Sequence, residues 1–124
     1  MTSESNNKNN NNNHPLGHFE IPADNTNTLK NFYSSLFRWQ FKEHEQIKDY
    51  WMITNAGISG GIMKKENPRQ ITTMFVEVES IDNYMQKAQE LDAKVIKNKQ
   101  EITNGFYAVM EDPQGNTFGI WQNK

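Results

Sequence analysis

The chain reads as an α+β protein made of duplicated βαβββ modules, a mixed eight-stranded sheet curved round a concave cleft with two flanking helices. Three observations predict this. The stretch Gly17 to Phe41 runs strand, turn, helix, strand in 25 residues. The same order of alternation, helical stripe and turns recurs at a shift of 55 residues (Phe19 to Met74). Phe19, Ile21 and Ala23 then fall on Met74, Val76 and Val78, and Leu29, Tyr33 and Leu36 on Tyr84, Ala88 and Leu91, the mark of an internal repeat. Finally, the polar, proline-containing stretch Lys65 to Arg69 separates the copies, giving modules of about 17–64 and 71–122.

The elements of the first module follow from local patterns. Phe19, Ile21 and Ala23 alternate with His18, Glu20 and Pro22, the two-residue period of a strand with unlike faces. Asp24, Asn25 and Thr26 form a turn and cap cluster, because short polar side chains accept from the free N–H groups of a first helical turn. Leu29, Phe32, Tyr33 and Leu36 fall at i, i+3, i+4 and i+7, the apolar stripe of an amphipathic helix. Arg38 to Lys42 alternates as a second strand and ends in the charged turn His44-Glu45-Gln46. Tyr50 to Thr54 is an aromatic and β-branched third strand. Asn55-Ala56-Gly57 makes a hairpin turn into a fourth, Ile58 to Lys64. Gly60 and Gly61 within it mark either a bulge or a close backbone approach, and a bulge is the expectation.

The second module repeats the order. Thr72 to Val78 is a strand with Met74, Val76 and Val78 on one face and Thr73, Phe75 and Glu77 on the other. Ser80 caps a helix whose stripe is Ile81, Tyr84, Ala88 and Leu91. Ala93 to Ile96 is a short strand and Gly105 to Met110 a longer one. Asp112-Pro113-Gln114-Gly115 has the composition of a type I turn, and Thr117 to Trp121 closes the domain.

A length of 124 residues allows one ordinary domain. Residues 1–15, MTSESNNKNNNNNHP, carry no aliphatic or aromatic residue after Met1 and read as a disordered Asn-rich tail before a single domain over 16–124. A net charge of −2 offers no bulk field to nucleic acid or an anionic membrane. No apolar run approaches the ~20 residues of a membrane span, and no signal-peptide layout opens the sequence, so a cytoplasmic protein is expected. The absence of cysteine removes disulfides, thiolate nucleophiles and thiolate metal sites.

The segments GHFEIPADNTNTLKNFYSSLFRWQF and DPQGNTFGIWQ together resemble the vicinal oxygen chelate superfamily, which includes glyoxalase I, bleomycin-resistance proteins and extradiol dioxygenases. The resemblance covers nearly all of residues 17–122 and implies the duplicated βαβββ fold, often a homodimer, and usually a divalent metal in the concave face. The metal-dependent members place ligands at the start of the first strand, on the fourth, at the start of the fifth and at the end of the eighth. His18 matches the first position. The fourth strand offers only Gly60, Gly61, Ile62 and Met63, the fifth-strand position is Thr73 and the last is Gly119. One protein ligand does not hold a divalent ion, for which three or four N or O donors are usual. No metal is therefore expected, with a rearranged His18, Glu20 and Glu77 site for Zn, Ni, Mn or Fe as the alternative.

The candidate ligand-binding residues are His18, Glu20, Trp51, Thr73, Phe75, Glu77, Phe106 and Trp121, with His18 and Glu20 also the candidate catalytic pair. His18 and Glu20 share the strand face opposite Phe19 and Ile21, and a carboxylate on an enclosed sheet face needs a partner. The aromatic side chains exceed what two helices need for cover, and some should face the cleft, where they suit a flat, partly apolar ligand. Each residue also has a plainer reading, as a hydrogen-bonded cavity lining, a solvated strand end or core packing. No Ser-His-Asp or Cys-His arrangement can be assembled from the sequence. The expected function is a glyoxalase- or bleomycin-resistance-like protein that binds a small, partly aromatic molecule. A metal-dependent lyase or dioxygenase-like enzyme using His18 and Glu20, and a protein-interaction module, are the alternatives.

Overall fold

A computed structural model describes residues 14–124. The tail reading falls on residues outside the described part up to residue 13, but its last two residues are packed. His14 Nε2 lies 2.9 Å from the Tyr84 hydroxyl, and the Pro15 carbonyl accepts from the Glu77 N–H at 2.8 Å.

The first module comprises β1 (Leu16–Ala23), α1 (Thr26–Phe37), β2 (Phe41–Glu43), β3 (Tyr50–Ile53) and β4 (Ser59–Lys64). The second comprises β5 (Thr73–Glu77), α2 (Ile81–Glu90), β6 (Lys94–Ile102), β7 (Gly105–Glu111) and β8 (Thr117–Asn123). Both helices begin where the caps were expected. Asn25 Oδ1 accepts from the Thr28 N–H at 2.9 Å, and Ser80 Oγ from the Asn83 N–H at 3.2 Å. The Asp112 turn also forms, with the Gly115 N–H on the Asp112 carbonyl at 3.0 Å. The backbone and side-chain N–H groups of Asn116 and the backbone N–H of Gln114 converge on Asp112 Oδ1, and these bonds hold its carboxyl below the usual range.

All eight strands join one mixed sheet in the order β2-β3-β4-β1-β5-β8-β7-β6. Within each module the first and last strands are parallel, β1 with β4 and β5 with β8. The modules meet along an antiparallel β1/β5 seam, in which His18 faces Phe75 and Glu20 faces Thr73. Reversing the strand order exchanges one module for the other, so the repeat in the sequence is a repeat in space.

Both helices cover one face of the sheet. Under α1 lie Ala23, Ile53 and Ile62, with Phe19, Ile21, Leu29, Tyr33 and Trp51 packed around them. Under α2 lie Val78, Ile81, Ala108, Met110 and Ile120, with Tyr84, Ala88 and Phe106. The helical stripes are narrower than expected. Leu29 and Tyr33 face the sheet, while Phe32, Leu36 and Leu91 are exposed because they lie on the flank or past the end of their helices.

The sheet curls toward its helix-free face. Its outer strands, β2 and β6, are seven spacings apart, about 34 Å if the sheet were flat at ~4.8 Å per strand. Yet the Thr103 hydroxyl, in the β6–β7 turn, donates to Gln46 Oε1 in the β2–β3 loop. Lys97 of β6 likewise reaches Glu66, beyond β4, at 3.5 Å. These links bring the two edges together without a strand ladder, so the sheet remains open.

Candidate functional site

Alternation on β1 places His18 and Glu20 on the helix-free face, at the seam. Strand β4 runs parallel beside it and sets Ser59 opposite His18 and Gly61 opposite Glu20. Strand β3 sets Met52 opposite Gly61, and Tyr50 two residues before it on the same face. These residues form one hydrogen-bonded chain. His18 Nδ1 lies 2.7 Å from Ser59 Oγ, and Nε2 lies 2.8 Å from the Tyr50 oxygen. The Tyr50 hydroxyl donates to Glu20 Oε2 at 2.7 Å, and that oxygen is 3.4 Å from His18 Nε2. Tyr50 is buried at 5% exposure. Burial, then the charge and hydrogen bond of Glu20, push its phenol well above its ordinary range, so it stays protonated as the donor.

The glycines of β4 are not a bulge, which corrects the expectation. The register of β4 with both neighbours is continuous through them. A Cβ on Gly60 would strike the Phe19 ring, and one on Gly61 the Tyr50 ring and hydroxyl. Gly60 and Gly61 are therefore clearances for one aromatic ring on each face. Gly119 does the same for Phe75, whereas a Cβ on Gly105 would strike first the Gln122 backbone carbonyl and then the Trp121 ring.

The sequence-selected residues divide into three groups. His18, Glu20, Thr73 and Phe75 come together at the seam. Phe75 packs edge-on to His18 with ring centres 5.7 Å apart, and Thr73 turns its hydroxyl back to the Ile71 carbonyl at 3.1 Å. Glu77 and Trp121 share that face but sit further along it, joined through Asn123. The Asn123 side chain donates to Glu77 at 2.6 Å and accepts from the Trp121 ring N–H at 2.8 Å. Trp51 and Phe106 do not face the cleft. Their register, Trp51 with Ile62 and Phe106 with Glu101 and Gln122, turns them to the helix side. There Trp51 packs near α1 with the Lys30 ammonium 3.8 Å from its ring centre, and Phe106 packs near α2.

The middle of the cleft is occupied by the protein itself, since Tyr50 and Phe75 are both buried. Open space lies instead at the ends of strands. A cavity of about 510 Å³ beside the β3–β4 hairpin is lined by Met52, Ile53, Thr54, Ile58 and Ser59. A second, of about 280 Å³, is lined by His14, Glu77, Glu79, Gln122 and Asn123. Sequence reasoning missed Ser59 and gave Tyr50 only as one of several surplus aromatics. The one available signal was the pair of glycines, whose role as a clearance implies a large side chain nearby.

The residues present do not fit the metal that the family resemblance implied. At the four ligand positions stand His18, the Tyr50-covered Gly61, Thr73 and the Phe75-covered Gly119. Both His18 nitrogens and Glu20 Oε2 are turned onto Ser59 and Tyr50, and Glu77 is engaged by Asn123. Among the described residues no three His, Asp or Glu side chains converge on a common point, so the rearranged His18, Glu20 and Glu77 site does not assemble. The absence of a readable Ser-His-acid arrangement also needs correcting. Pairing of β1 with β4 brings Ser59 against His18 across 41 residues of sequence, and Tyr50 of β3 links His18 to Glu20.

No curated protein matches the chain. Solved structures do. A hypothetical protein from Bacillus halodurans C-125 superimposes with a TM-score of 0.71 at 14% identity, over 90% of this chain and 95% of that one. A glyoxalase/bleomycin resistance protein/dioxygenase superfamily member from Vibrio splendidus 12B01 gives 0.67 at 13%, over 90% and 100%. Methylmalonyl-CoA epimerase from Mycobacterium tuberculosis gives 0.66 at 11%, over 88% and 87%. At these identities the likeness is one of fold. A family model, the glyoxalase-like domain, matches residues 18–121, nearly the whole of the described structure. With its paired βαβββ modules and its seam histidine, the chain belongs to the glyoxalase-like domain family.

Proposed function

We propose that this glyoxalase-like protein binds a small, partly aromatic molecule beside Ser59 at the β3–β4 hairpin, without a metal ion. The observation that carries the reading is the adjacency of the 510 Å³ cavity to the polar row of Ser59, His18, Tyr50 and Glu20. The space is an open groove, wide enough to seat a small molecule against the strand ends. Met52 and Ile58 supply apolar walls and Ser59 a hydroxyl handle, the mixture that holds a ligand by contact and orients it by a hydrogen bond. Phe75 and Tyr50 act from beneath, as a fixed floor that keeps His18 and Glu20 in place.

Ligand-observed NMR against a panel of aromatic fragments tests this. The expected result is a set of hits that the plugging substitution Met52→Trp abolishes while the circular dichroism spectrum is retained. A panel with no hits, or hits that survive the plug, overturns the reading. Elemental analysis of protein grown with supplemented metals is expected to find Zn, Ni, Mn and Fe well below stoichiometry. One equivalent of any of these, lost in both His18→Ala and Glu20→Gln, would revive the metal-dependent alternative.

A further inference from the structure

Ligand binding alone leaves the connection between His18 and Ser59 unused. The valences of the row fix its protons. The Tyr50 hydroxyl has one hydrogen, and it goes to Glu20 Oε2 at 2.7 Å. The Tyr50 oxygen is then the acceptor at 2.8 Å from His18 Nε2, which must carry the ring proton. In the neutral imidazole Nδ1 then keeps its lone pair, and the Ser59 hydroxyl 2.7 Å away is placed to donate to it. A serine hydroxyl beside an imidazole lone pair, with the other ring N–H held by a tyrosine oxygen that is itself bonded to a carboxylate, can activate an alcohol as a nucleophile. Glu20 Oε2, 3.4 Å from Nε2, is placed to stabilise the imidazolium that forms when the serine proton moves. The parallel β1/β4 pairing holds Ser59 against His18 on rigid backbone, and Ser59 is exposed on the wall of the 510 Å³ cavity.

We propose that Ser59 is a nucleophile activated by His18, and that the cavity beside it admits small aryl esters, with the aryl group against Met52 and Ile58. In the acylation step the Ser59 oxygen attacks the ester carbonyl and its proton passes to His18 Nδ1. The bond to the leaving oxygen then breaks, and the aryl alcohol departs with that proton. Water, deprotonated by the same Nδ1, cleaves the acyl-serine to the acid and returns the proton to Ser59. Ser59 and His18 are the catalytic residues, and Tyr50 and Glu20 are positioning residues that set the imidazole tautomer. The proposal goes beyond the binding reading and fails separately from it, because a small covalent probe needs no cognate ligand.

The test is covalent trapping of the full-length protein with a fluorophosphonate, read by intact mass and peptide mapping. One adduct on Ser59 is expected, absent in Ser59→Ala. In His18→Ala the labelling rate should fall about a hundredfold and be partly restored by added imidazole, which a merely structural loss would not allow. Tyr50→Phe should lower kcat for para-nitrophenyl acetate while leaving KM unchanged. Wild-type protein that forms no adduct on Ser59 overturns the proposal whether or not the variants fold. So does labelling that proceeds undiminished in folded His18→Ala.

Discussion

A methyl group on Gly61 would stand inside contact distance of the Tyr50 ring, and the ring has nowhere to retreat because it is buried against β4. Gly61→Ala is therefore expected to cost about 1–3 kcal/mol in urea unfolding, the range for an overpacked core. Ala at Gly57, where the added carbon meets nothing but φ is +99°, separates backbone strain from collision as a comparison. Tyr50 itself makes a pH-dependent contribution. Its phenol is held above its ordinary value of 10.0, first by burial and then by the Glu20 charge and hydrogen bond. Above that pH the unfolded chain releases the phenol proton while the folded chain keeps it. Stability that is intact below about pH 10 should then fall by about 1.4 kcal/mol per pH unit from this group. Urea titrations on either side of pH 10 should show a shallower fall in Tyr50→Phe. Equal slopes in the two proteins would mean that Glu20 and burial do not act on this hydroxyl.

Among the elements, the sequence was most legible where the two faces of a strand differ chemically. In β1, His18 and Glu20 contrast with Phe19 and Ile21, and the faces were assigned correctly. In β3 the residues Tyr50, Trp51, Met52 and Ile53 offer no such contrast, and in β7 neither do Phe106 and Tyr107. Only the register of a partner strand decides which way those rings point, and it turns Trp51 and Phe106 to the helices rather than to the cleft. Strand β6 was cut short for a related reason. Its second half, Lys97 to Ile102, is almost wholly polar because it is a sheet edge in contact with water. The helix starts, by contrast, follow from local chemistry alone. Asn25→Ala is expected to cost about 1 kcal/mol through the lost bond to the Thr28 N–H. Thermal unfolding that matches the unmodified protein would show that water replaces this cap without loss.

At the scale of the molecule, Phe75 is the side chain that joins the modules. It stands on β5, edge-on to His18 of β1 and to Tyr107 of β7, and lies over Gly119 of β8. Phe75→Ala should cost about 3–5 kcal/mol and still leave one cooperative transition, because both modules lose the same support. Separate transitions for the two halves would instead make them independent folding units. The duplication was readable from the 55-residue repeat, but the filled centre of the cleft was not. Filling depends on Tyr50 crossing onto β4 and Phe75 onto β8, contacts between strands whose order no local pattern carries.

The two rims of the curled sheet also bear on how the protein behaves in a crowded solution. A strand edge is a row of unpaired donors and acceptors, able to recruit another chain and seed an aggregate. Here one rim is the three-residue β2, too short to template much. The other is β6, whose register with β7 is interrupted twice and whose length carries Lys94, Lys97 and Lys99. The Thr103 to Gln46 link folds these rims toward each other and away from passing molecules. A protein that leaves Phe32, Leu36 and Phe37 exposed on a helix thus guards its strands against fibre growth.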